Sequence, residues 1–173
     1  MDAVVNLKAL PYRKSVGIVV FNHVGKVWVG RRLMTCAHID TDMSYRWQLP
    51  QGGIDENEEP FDAACRELYE ETGIRSIKLI KEVQDWFHYD FPQELIGSTL
   101  NNKYRGQIQK WFAFQFIGDP HEITINPPPN GHKAEFDQWK WVDLETLPSM
   151  VISFKKRVYI KVVNEFRGSL RGL

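Results

Sequence analysis

Residues 51–73 read QGGIDENEEPFDAACRELYEETG, and the order of those parts constrains the rest of the chain. A polar loop with two glycines, QGGIDENEE, runs straight into a helical stretch from Pro60 to Thr72. Pro60 suits the first helical turn, where its missing N–H costs nothing, and Gly73 supplies the stop. Phe61, Ala64 and Leu68 recur at intervals of three and four and predict an apolar stripe that packs on a sheet. Glu67, Glu70 and Glu71 lie off that stripe. Carboxylates three and four positions apart share a helical face and repel by roughly 0.2–0.5 kcal/mol per pair. Such a face is either simply solvated or has positive charge among its carboxylates.

On the N-terminal side, SVGIVVFN (15–22) is apolar and β-branched and reads as a central strand. KVWVGRR returns after the turn HVGK, which predicts a hairpin over 16–32. A polar stretch and the short segment WQLP lead to the quoted loop. On the C-terminal side, IRSIKLIKEVQDWFHYDFP and QIQKWFAFQFIG read as strands on either side of a polar loop, 93–106. EITINPPPNGHKAE is a loop, FDQWKWVDL another strand and ETLPSM a turn. FKKRVYIKVVNEFR, 154–167, is an amphipathic helix with Val158, Val162 and Phe166 on one side. Strands with one helix in the middle and one at the end predict a sandwich with helices on both sides of a sheet.

A chain of 173 residues can build one domain with a sizeable core, and neither a linker nor a repeat argues for a second. Lys+Arg and Asp+Glu balance at 22 each, which argues against strong non-specific affinity for nucleic acid and leaves charge placement to decide. Cys36 and Cys65 are too few for a disulfide framework or a metal cluster, and Cys65 reads as a small buried thiol. The opening MDAVVNLKALPYRKS has no basic region followed by a long apolar run, and no stretch reaches the roughly 20 apolar residues of a membrane helix. A cytoplasmic protein without a membrane partner is the expectation.

The spacing inside the quoted stretch is specific. From Gly52, five residues precede Glu58, seven more precede Arg66-Glu67-Leu68, one precedes Glu70-Glu71, and one precedes Gly73-Ile74. This resembles the signature box of the Nudix hydrolases at every fixed position, over 52–74. The resemblance implies an α/β fold, an α/β/α sandwich around a mixed β-sheet, with 1–173 as a single domain. It implies hydrolysis of a nucleoside diphosphate linked to another moiety, with Glu67, Glu70 and Glu71 as metal ligands and Glu58 supporting the loop. Arg66 orients a glutamate through an ion pair, and the backbone of Gly52 joins the ligand set. Mg²⁺ fits such a site, or Mn²⁺, with more than one ion held. Clustered divalent ions can polarise phosphorus and activate water.

Outside the box, YRKSVGIVVFN, WVGRR, WQLPQGG, QIQKWF, EFDQWKWV and ISFKKRVY resemble the bacterial RNA pyrophosphohydrolases and the related dinucleoside polyphosphate hydrolases. That resemblance implies that Glu135 is a further metal ligand or a catalytic base, beside Glu67. Arg13, Arg31, Arg32 and Lys155 match positions that contact phosphates or the RNA 5′ end, and Lys110 could reach the phosphates from its strand. Ile152 and Phe154 match an apolar residue and an aromatic that sandwich a base; Phe154 also reads as a core residue at the start of the last helix. Trp111 and Phe112 read as core. The five histidines are scattered, with only His88 near the expected cleft.

The implied substrates are the 5′-triphosphorylated end of RNA and dinucleoside polyphosphates such as diadenosine tetraphosphate, with DNA not a partner and a monomer expected. The stretch 33–46 is longer than in the compact bacterial pattern and resembles the diadenosine tetraphosphate hydrolases. The alternatives are a dedicated dinucleoside polyphosphate hydrolase, an enzyme that cleans the nucleotide pool, and a non-catalytic nucleotide-binding module. Against the last, Glu58, Glu67, Glu70 and Glu71 are all present.

Overall fold

The computed structural model describes residues 9–33, 45–96 and 103–169. Most of the long 33–46 stretch, with Cys36 and His38, therefore lies outside the described residues. Eight strands form one sheet: β1 (Tyr12–Phe21), β2 (Val27–Arg32), β3 (Trp47–Gln48), β4 (Gln51–Gly53), β5 (Ile77–Glu82), β6 (Phe87–Asp90), β7 (Gly106–Phe116) and β8 (Phe136–Val142). The helices are α1 (Pro60–Thr72), α2 (Gln93–Ile96), α3 (Leu147–Met150) and α4 (Lys156–Phe166). The main path runs β3-β2-β1-β7-β5, with β4 on β1, β6 on β7 and β8 on β2. β1 and β7 are parallel and the other pairs antiparallel, so the sheet is mixed.

β1 is central because alternate side chains enter two cores. Val16, Ile18 and Val20 join Ala63, Ala64 and Leu68 of α1, with Phe112 and Phe114. Val19 and Phe21 join Val158, Val162 and Phe166 of α4, with Trp111 and Ala113. The apolar run read from the sequence is what a strand buried on both faces needs. Among the described residues no helix is long and apolar enough to cross a membrane.

Three local expectations change. QGG is not loop: Gly53, Gly52 and Gln51 pair with Ser15, Val16 and Gly17, a backbone partnership that composition does not reveal. Phe61 is an exposed member of the helical stripe, edge-on to the Phe112 ring and tilted against that of Phe114, while Ala63 takes the buried place. Nor do all three glutamates lie off the buried face of α1, since Glu71 is only 8% exposed. At the C-terminal end, a 3₁₀ turn over Ser153–Lys155 precedes α4.

Candidate functional site

Arg66 is the positive charge among the glutamates. Its Nε and Nη2 donate to the two Glu58 oxygens at 2.7 and 2.8 Å, and Nη2 also donates to the Gly53 carbonyl at 2.9 Å. Nη1 reaches Glu67 Oε1 at 2.9 Å and Glu70 Oε2 at 3.5 Å. This two-pronged pairing, which the planar guanidinium allows, holds the Glu58 carboxyl down at about 2. Glu58 also accepts the Asp55 N–H at 2.9 Å, which ties the loop to the helix.

Glu67 and Glu71 feel the opposite influence. Burial raises the Glu67 carboxyl, with Arg66 opposing it. Burial raises Glu71 well above the usual range, reinforced by the charges of Glu67 and Glu135. Glu71 accepts the Gln51 N–H at 3.2 Å. The Glu67 carboxylate lies on Gly52 so closely that a Cβ there would overlap it. That close approach is why the position is glycine.

Further cations gather beside these carboxylates. Lys155 is 4% exposed, and its Nζ donates to Gln48 Oε1 at 3.0 Å and Gln51 Oε1 at 3.2 Å. Burial, with help from Arg32, pushes its ammonium down to about 7, against the pull of Glu71 and Glu135. Arg32 Nη2 lies 3.8 Å from Glu135 Oε2, and the Arg13 guanidinium lies over Gly53, where its charge acts on Glu67. Gln109 Nε2 approaches Gln51 Oε1 at 3.5 Å.

The structure thus brings Gly52, Arg66, Glu67, Glu70, Glu71, Glu135, Arg13, Arg32 and Lys155 to one region. Arg31 is engaged elsewhere, its Nε on Asp137 Oδ1 at 2.7 Å. Lys110 is held by Glu82 and the Gln84 carbonyl, each at 3.0 Å, towards the β5–β6 connection. In this arrangement both side chains pair with protein carboxylates. Ile152 and Phe154 are half-buried against the α4-side core, with the Phe154 ring 5.7 Å from that of Tyr89 and 6.4 Å from that of Phe91. Trp111 and Phe112 are core, as read.

Sequence reasoning missed the amides Gln48 and Gln51, although their signal was present in two glutamines flanking Leu-Pro inside one short motif. It also missed His132, whose Nδ1 lies 4.0 Å from Glu70 Oε2, and which has no sequence neighbour to mark it. His88 is exposed beside the Tyr12 ring.

Among the described residues no three carboxylate, imidazole or thiol groups converge on one point; Arg66 and the Gln51 N–H hold the carboxylates instead. The donor chemistry nevertheless fits a hard divalent cation: all-oxygen carboxylates, a buried Glu71 short of compensating charge, and a glycine against which Glu67 is seated.

Carboxylates and cations gathered in one region suit a polyphosphate and its counter-ion, the arrangement of a hydrolase of phosphoric anhydride bonds. The NUDIX domain family matches residues 11–162, and the chain belongs to that family. An RNA pyrophosphohydrolase of Bartonella henselae is 80% identical over 173 residues, covering 100% of each chain. Two solved structures share the fold. The E. coli dihydroneopterin triphosphate pyrophosphohydrolase has a TM-score of 0.62 at 19% identity, over 88% of this chain and 96% of that one. A C. elegans Ap4A hydrolase binary complex has a TM-score of 0.57 at 16% identity, over 89% and 98%.

Proposed function

We propose that this chain is a divalent-metal-dependent pyrophosphohydrolase that converts the 5′-triphosphate end of RNA to a 5′-monophosphate, and that the same site splits dinucleoside polyphosphates. Lys155 carries the reading. Among the described residues its hydrogen-bond partners are the neutral amides of Gln48 and Gln51, and burying an ammonium is costly without an anion in contact. A phosphate chain laid between Lys155 and α1 supplies it. The full-length likeness to the Bartonella henselae RNA pyrophosphohydrolase supports RNA as the substrate.

Glu67, Glu70, Glu71, Glu135 and the Gly52 carbonyl would hold the metal, as Mg²⁺ or Mn²⁺ and as more than one ion. When bound, it lowers the pKa of a ligated water and neutralises phosphate oxygens. Glu67 takes a proton from the attacking water, and Arg66 fixes its carboxylate through Nη1. The water oxygen bonds to one phosphorus of the α–β anhydride as the bridging P–O bond breaks in line. Arg13, Arg32 and Lys155 receive the charge of the departing pyrophosphate. Ile152 and Phe154, at the Lys155 end of the cleft, flank the terminal base. We place this activity in a single domain, a cytoplasmic monomer with no role for DNA.

The test compares kcat/KM for a short 5′-triphosphorylated RNA and for diadenosine tetraphosphate with Mg²⁺, products identified, alongside Glu70→Gln. We expect pyrophosphate from the RNA, with a higher kcat/KM than the dinucleotide, and a loss of at least about 100-fold in the variant. Full activity in Glu70→Gln would refute the mechanism. Preference for the dinucleotide would reassign the substrate.

A further inference from the structure

We infer that His132 is a further ligand of the divalent ion held by Glu70, so that the acidic site has a nitrogen donor; the inference rests on the metal-dependent reading above. The chain leaves Pro127-Pro128-Pro129 into a 3₁₀ turn over Pro129–Gly131. Asn130 and Gly131 take φ of 56° and 72° in succession. Two left-handed residues in a row reverse the backbone, and few residues other than Asn and Gly accept that geometry. The His132 N–H donates to the Pro129 carbonyl at 3.3 Å and closes the turn. The imidazole is thereby returned to α1, with Nδ1 at 4.0 Å from Glu70 Oε2.

That separation is too long for a hydrogen bond. Ligand bonds of about 2.0–2.2 Å from an imidazole nitrogen and from a carboxylate oxygen span it when the two donors lie across one ion from each other, and a shift of about 1 Å brings them to adjacent positions on it. Glu70 is also the most loosely held of the three helix carboxylates. Its guanidinium contact is 3.5 Å, against 2.9 Å for Glu67. The two side chains are 39% and 27% exposed, open to an ion arriving from solvent. The same loop delivers Glu135, whose charge acts on Glu71, so one segment brings a donor towards each of two adjacent helix glutamates. A nitrogen among oxygens favours Mn²⁺ or Zn²⁺ over Mg²⁺, because imidazole is the softer ligand.

The experiment uses the full chain without substrate, labelled with ¹⁵N-histidine, and titrates Mn²⁺ by calorimetry and electron paramagnetic resonance. Pulsed spectra of bound Mn²⁺ should show coupling to a histidine nitrogen that changes with the isotope and disappears in His132→Ala. The variant should bind Mn²⁺ about tenfold more weakly or worse, with Mg²⁺ affinity changed less than about twofold. Mn²⁺ bound without histidine coupling, or coupling that survives in His132→Ala, overturns the inference and leaves the metal-dependent hydrolase standing. Native protein that binds no Mn²⁺ at all overturns both.

Discussion

Lys155 sets two demands of opposite sign. Its ammonium titrates near 7 in the folded chain against 10.5 in the unfolded one. Between those values the unfolded chain binds more protons, so this residue's contribution to stability rises with pH there, and its full cost stands below pH 7. Lys155→Met should therefore melt no lower than the native protein at pH 6 and show a shallower rise between pH 7 and 10. It should also raise KM for triphosphorylated RNA at pH 6.5 by about tenfold or more, the worth of one hydrogen bond to a charged group. Steady-state kinetics and calorimetry on the same samples check both halves. Glu58 behaves conversely: with its carboxyl at about 2 against an ordinary 4.5, its stabilisation is present above pH 4.5 and fades as pH falls towards 2. Glu58→Gln should cost about 1–3 kcal/mol at pH 7 and little near pH 2, read from urea unfolding at each pH.

Helix α1 is secured at its C-terminal end by another segment. Gly73 sits at φ 76°, its N–H on the Tyr69 carbonyl at 2.8 Å. The Thr124 N–H donates to the Thr72 carbonyl at 2.8 Å, and Glu122 accepts the N–H groups of Arg75 and Ser76. A Cβ at Gly73 would meet the Glu122 carbonyl at 2.5 Å. Gly73→Ala should destabilise by about 1–3 kcal/mol from backbone strain alone, seen as a lower denaturation midpoint with an unchanged m-value. The limits of α1 were legible because Pro60 and Gly73 are local signals. The strand character of Gln51–Gly53 was not, because its partners are Ser15–Gly17 on a distant segment. Burial of Glu71 was hidden for a related reason. The helical pattern identifies the apolar stripe, while the sheet edge and Gln51 decide what lies beside it. His132 was illegible because only a turned-back loop brings it to Glu70.

Two cores share one sheet, one packed under α1 and the other under α4. The order of strands and helices read from the sequence predicted this layering, since each element carries its own periodicity; their neighbours depend on pairings that periodicity does not encode. Metal seated between the glutamates should act on the whole molecule. Mg²⁺ at a hundredfold excess over its dissociation constant adds about 2.7 kcal/mol, a rise of roughly 5–10 °C in melting temperature at this size. Calorimetry with Mg²⁺ against chelator measures it, and an unchanged melt would argue against a metal in the cleft. The parallel β1–β7 pairing has a further consequence. Ser15 meets Gln107 across 92 residues, and Lys155 reaches Gln48 across 107. On the ribosome, the emerging N-terminal strand must wait for β7 before its central partner exists. Lys155 arrives later still. A nascent chain that ends before Lys155 would hold all three helix glutamates with Arg13 and Arg32, and yet lack the buried amine that joins Gln48 to Gln51.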